Sequence, residues 1–144
     1  AESCTGGLIA DSITNTPGSG DVFMAGVIAY SAFAKKELLG VPSQIIDRFG
    51  VVSDETARAM AEGIRGRMQT SYAVSSTGNL GPTTLEDKPS GLVYIAVSSQ
   101  REVYSRKLLC TSDRRRNKEY AAAAALAFLK QVIIKELIDA KAAN

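Results

Sequence analysis

Three residues near the start of the chain, Ser3, Tyr30 and Lys35, have types and surroundings suited to acyl-transfer chemistry. Ser3 stands in the run AESCTGG at residues 1–7, whose glycines let backbone N–H groups come close to a ligand. A helix opening there favours an anion or a developing oxyanion. Ser3 and Thr5 also suit plain helix caps, and spacing leaves both roles open. Lys35 falls near the first turn of a helix that Ser31 can cap. The helix dipole disfavours an ammonium there, which lowers the lysine pKa and suits a general base toward serine. An exposed face carrying Lys35 and Lys36 is the alternative. Tyr30 precedes Lys35 by five residues, and its phenol can orient the amine or relay a proton. The chain contains no histidine. That excludes Ser-His-Asp and Cys-His hydrolases and most catalytic zinc sites, leaving Lys, Tyr or a carboxylate as base.

Other segments could bind rather than react. The loop TGNLGP at residues 77–82 directly follows an expected strand, where α/β sheets bind ligands, and its glycines can present backbone amides to a phosphate. A plain turn accounts for it equally well. The single basic run, Arg114 to Arg116, reads as a solvated helix start or an anion contact. Cys4 and Cys110 are too few for a disulfide scaffold and wrongly spaced for zinc, so reduced thiols in a cytoplasmic setting are expected.

The elements that must hold these residues follow from hydrophobic period and punctuation. Leu8, Ile9 and Ile13 have helical spacing. Residues 26–30, GVIAY, read as a short buried strand. Helices are expected from Ala32 to Leu39 and from Gln44, capped by Ser43, to Phe49; Gly40 and Gly50 end them. Ser53 opens another, with Asp54 and Glu55 in its first turn and Ala57, Met60, Ala61 and Ile64 on its apolar face. Tyr72 starts a second strand. The apolar run 92–97 reads as a central strand, with residues 101–109 as its hairpin partner. A last helix begins near Asp113 and runs past Leu137, with Leu126, Leu129 and Ile133 on its inner side. The 144 residues, 45% hydrophobic and 22% charged with net charge +2, fit one globular domain. The order of elements predicts a three-layer α/β/α domain with a mixed sheet. No stretch is apolar and long enough to span a membrane as a helix.

In order, AESCTGGLIA, Pro17-Gly18-Ser19, Tyr30-Ser31 with Ala34-Lys35, Leu39-Gly40-Val41-Pro42, the 77–82 loop, Lys88-Pro89 and Asp113-Arg114 resemble the C-terminal domain of the CinA family, the nicotinamide-nucleotide amidohydrolases. The resemblance implies hydrolysis of the carboxamide of nicotinamide mononucleotide by a Ser/Lys mechanism. It implies no cofactor, no metal, no nucleic-acid or membrane partner, and a homo-oligomer. By carry-over Ser3 is the nucleophile, Lys35 the base and Tyr30 its assistant. Thr5, Gly6, Ser19, Thr77, Gly78 and Arg114 bind substrate, with Ser19 as a second candidate nucleophile. The chain departs from the pattern at Gly20, where the family usually has a second serine after Ser19. That departure supports an alternative, an inactive homologue that keeps the fold and a nucleotide pocket. The resemblance also implies a helix and a strand ahead of Ala1, without which the sheet would have a gap.

Overall fold

A computed structural model describes residues 1–143. In chain order it contains α1 (Leu8–Thr14), a 3-10 turn (Ser19–Asp21), α2 (Ala32–Leu39), α3 (Ser43–Phe49), α4 (Asp54–Met68), β1 (Tyr72–Gly78), β2 (Leu92–Ser99), β3 (Val103–Leu109) and α5 (Arg114–Ala142). The strands form an antiparallel sheet in the order β1-β2-β3. Glu2 extends it with parallel single-residue bridges to Ile28 and Ser76.

The apolar run of β2 makes it central because both its faces are covered. Val93, Ile95 and Val97 pack against Ala121, Ala122, Ala125 and Phe128 of α5. The alternate residue Ala96 packs against Ala57 and Ala61 of α4. A strand with period-two side chains thus joins two helical layers, α4 on one face and α5 with α1 on the other. The α4 face is buried as its spacing predicts, at Ala57, Met60, Ala61 and Ile64. Gly63 lets α4 approach α2, since a Cβ there would overlap the Leu39 carbonyl oxygen.

The helix starts expected at Ser31, Ser53 and near Asp113 are each held by a local cap. Ser31 Oγ accepts from Ala34 N, Ser53 Oγ from Thr56 N, and Asp113 from Arg116 N. Ser43 does not cap α3: it lies inside the helix, behind Pro42. The buried seam of α5 is Ala121, Ala122, Ala125, Phe128, Val132 and Glu136. Leu126 and Leu129 only flank it, because the small alanines set the closest approach to β2. Glu136 accepts hydrogen bonds from Tyr72 and Ser99, tying the helix to both strands.

The expected strand at residues 26–30 is reduced to one rung. Glu2 N donates to Val27 O and Ala29 N donates to Glu2 O. Ile28 is half exposed rather than buried. Beside this rung runs a slot of about 680 Å³, with Met24, Ala25 and Gly26 on one side and Tyr72, Ala73 and Val74 on the other.

Candidate functional site

The site begins where the Ala1 to Ser3 segment leaves the sheet. Ser76 N donates to Ala1 O at 3.1 Å, and Ser3 N donates to Ser76 O at 3.0 Å. The chain then turns: Gly6 N donates to Ser3 O, and Gly6 and Gly7 have φ of 59° and 103°. Such angles favour glycine, which explains the pair in the motif.

Neither Ser3 nor Thr5 caps α1. The capping group is Glu2, a buried carboxylate that the sequence reading missed. Its Oε2 accepts from Gly7 N, Ile9 N and Thr5 Oγ1, and its Oε1 accepts from Ala10 N. Thr5 Oγ1 also shares a 2.7 Å hydrogen bond with Ser76 Oγ. Glu2 lies several residues before the amides it serves, outside any local capping pattern, so only the folded turn brings them together. The open amides expected at Gly6 and Gly7 are therefore already engaged.

Lys35 is carried by α2, one turn before Leu39, and both are buried. Only 1% of Lys35 is exposed. Its Nζ donates to Ser3 Oγ at 3.0 Å and to Ala29 O at 2.9 Å. Burial lowers its pKa from 10.5 to about 8, opposed by the neighbouring Cys4 and Glu86. The direction agrees with the sequence reading; the main cause is desolvation rather than the helix dipole. With that pKa, about a quarter of the amines are neutral at pH 7.5 and able to accept a proton. Cys4, next to Ser3, is no rival nucleophile: burial pushes its thiol up to about 12.

The remaining candidates divide. Tyr30 is exposed, and its hydroxyl accepts from Arg114 Nη2 at 3.0 Å; it makes no hydrogen bond to Lys35. Arg114, first residue of α5, also donates from Nη1 to Gly81 O at 2.7 Å, so it links Tyr30 to the 77–82 loop. Lys118, one turn further along α5, brings Nζ within 3.1 Å of where a Gly6 Cβ would be. Its four-residue spacing from Arg114 puts both on one helix face. Thr77 is buried and donates to Val51 O, which suits an anchor of the strand end better than a substrate contact. Gly78 is partly exposed at the end of β1. Ser19 lies apart, in the 3-10 turn beside a shallow depression that also touches Ser12, Thr16 and Leu126. It makes no hydrogen bond to Lys35, so of the two candidate serines Lys35 reaches Ser3. The larger slot beside Ala1 includes neither Ser3 nor Lys35.

Residues 79–91 are fastened to residues 49–52 by a clasp. Glu86 accepts from Val51 N and Val52 N, and Lys88 Nζ donates to Phe49 O, Val52 O and Glu86. Glu86 and Asp87 take φ of 60° and 53°, a left-handed pair without glycine. Among the described residues no group of three or more His, Cys, Asp or Glu side chains could hold a metal ion. No described helix is long and apolar enough to cross a membrane.

Comparison with known proteins points one way. Residues 1–133 match the family described as CinA C-terminal domain. A competence-damage inducible protein of Caldicellulosiruptor bescii is 47% identical over 135 residues, covering 93% of this chain and 33% of that one. A CinA-like protein of Syntrophus aciditrophicus is 46% identical over 135 residues, covering 92% and 32%. The chain thus spans about a third of the length of these relatives. Among solved structures, a competence-damaged protein (CinA) superfamily protein from Escherichia coli superposes with TM-score 0.88 at 30% identity, over 91% of this chain and 77% of that one. A competence/damage inducible protein from Agrobacterium tumefaciens gives 0.86 at 35% identity, over 90% and 81%. With the motif order, the α/β fold and these matches in agreement, the chain belongs to the CinA C-terminal domain family.

Proposed function

We propose that this domain hydrolyses the carboxamide of nicotinamide mononucleotide to nicotinate mononucleotide and ammonia. The observation that carries the reading is the 3.0 Å contact between Lys35 Nζ and Ser3 Oγ in a chain without histidine. Neutral Lys35 takes the hydroxyl proton as Ser3 Oγ attacks the carboxamide carbon. The C–N bond of the tetrahedral adduct breaks, Lys35 returns the proton to the leaving nitrogen, and ammonia departs. Water then attacks the Ser3 ester and gives a proton to Lys35; the ester C–O bond breaks, Lys35 returns the proton to Ser3 Oγ, and nicotinate mononucleotide is released. Arg114 and Lys118, on one face at the start of α5, supply positive charge for the substrate phosphate.

Ser3 is only 7% exposed, so substrate access requires a neighbouring segment to move. Incubation with the mononucleotide and mass detection of the acid product tests the proposal. Product accumulating in proportion to enzyme supports it.

Gly20 favours a second reading, a homologue that binds a nucleotide without turning it over. Thermal stabilisation by the mononucleotide with no product formed would select that reading.

A further inference from the structure

A developing oxyanion needs a donor that is unengaged before the reaction. Gly6 N–H is bonded to Ser3 O, Gly7 N–H to Glu2, and neither is open. The pairing of β1 points to a different amide. Along β1, even-numbered residues face the Ala1 to Ser3 segment: Val74 O accepts from Ala1 N, and Ser76 bonds Ala1 O and Ser3 N. Odd-numbered residues face β2, and the alternation continues beyond the strand, where Asn79 N donates to Leu92 O. By this period of two, Gly78 N–H is the next rung toward the Ser3 side. A continued parallel ladder would join it to Ser3 O. The chain turns away instead, and Ser3 O accepts from Gly6 N. The alternation turns Gly78 N–H away from β2, and among the described residues no acceptor outside the strand ladder bonds it. Ser76 and Thr77 are buried, whereas Gly78 is partly exposed.

We infer that Gly78 N–H is the oxyanion donor of the Ser3 site. The inference rests on the amidohydrolase reading and identifies the group that binds the substrate's carbonyl oxygen. It also gives the position a use beyond sterics. A Cβ at residue 78 would lie 2.6 Å from Leu92 O and 2.9 Å from Val93 Cα, so glycine is required there in any case. For the same reason a substitution would disturb β2, and the test must leave the residue in place.

The sequence contains two Thr-Gly bonds, Thr5–Gly6 and Thr77–Gly78. Carbonyl-13C threonine with 15N glycine therefore isolates these two amides by NMR. In the free protein, Gly78 N–H should exchange with solvent on the order of a hundred-fold faster than Gly6 N–H, which is bonded. Millimolar 3-pyridylboronic acid then serves as probe. Ser3 Oγ bonds to boron, its proton passes to Lys35, and boron becomes a tetrahedral anion bearing oxygens. The Gly78 signal should move downfield and its exchange slow about ten-fold or more, with Gly6 unchanged. Protection of Gly78 in the free protein, or a Ser3 adduct seen by 11B NMR with Gly78 unmoved, overturns the inference alone. Absence of any tetrahedral boron that depends on Ser3 overturns the amidohydrolase reading and the inference together.

Discussion

Replacing Lys35 by methionine tests the buried amine without reference to any substrate. The lysine pKa falls from 10.5 to about 8 on folding, a shift worth about 3 kcal/mol. Below pH 8 the amine is protonated in both states, and the folded protein bears the whole penalty of a desolvated charge. Between pH 8 and 10.5 the unfolded chain alone retains the proton, so stability rises with pH. Above 10.5 the penalty is gone. Methionine has similar length and no charge, so its stability lacks this rise. The variant loses the bond to the Ala29 carbonyl, at a cost of about 1–3 kcal/mol that offsets most of the relief at pH 7. The two proteins should therefore unfold at similar urea concentrations near pH 7. They should separate in favour of the wild type by about 3 kcal/mol at pH 10.5, a midpoint difference of about 1.5 M urea. Circular dichroism at several pH values follows both. Parallel profiles across that window would refute the claim that Lys35 is held with a lowered pKa.

Four other substitutions probe the framework. Glu2→Gln leaves amides of α1 facing an amide nitrogen, and should lower stability by about 2–3 kcal/mol and Tm by about 5–10 °C in calorimetry. The paired changes Gly63→Ala and Gly66→Ala should differ in sign. The first drives a Cβ into the Leu39 carbonyl oxygen and should cost about 3 kcal/mol or more. The second, exposed and with nothing within 4 Å, should gain about 0.5–1 kcal/mol in urea unfolding. Gly20→Ser enters open space and should change stability by less than about 0.5 kcal/mol. Turnover of nicotinamide mononucleotide should change less than about ten-fold, one such factor being about 1.4 kcal/mol of barrier. Activity appearing only in the Gly20→Ser variant would move the nucleophile away from Ser3.

What the sequence made legible was local or periodic. The unbroken apolar run of β2, the face of α4, the cap at Ser31 and the helix starts at Ser53 and near Asp113 depend on neighbouring residues, and the structure reproduces them. Glu2 was missed because its partners sit across a tight turn. The α5 seam shifted because alanines, not leucines, decide how near a helix comes to a sheet. The 26–30 strand shrank to the rung at Glu2. At the site, the absence of histidine directed attention to lysine. The contact between Ser3 and Lys35 spans 32 positions in sequence, and no pattern in one chain encodes that distance. Tyr30 was grouped with Lys35 by proximity in sequence, yet its hydroxyl bonds Arg114, 84 positions away.

The most direct measurement of the central claim is ammonia release from nicotinamide mononucleotide by the wild type, Ser3→Ala and Lys35→Met, across pH 6 to 9. Wild-type turnover should rise with pH, reach half its maximum near pH 8 and level toward pH 9, as Lys35 loses its proton. Both variants should lose about a thousand-fold or more, since nucleophile and base act as one unit. No ammonia from the wild type at high enzyme concentration, or turnover that survives Ser3→Ala, would contradict it.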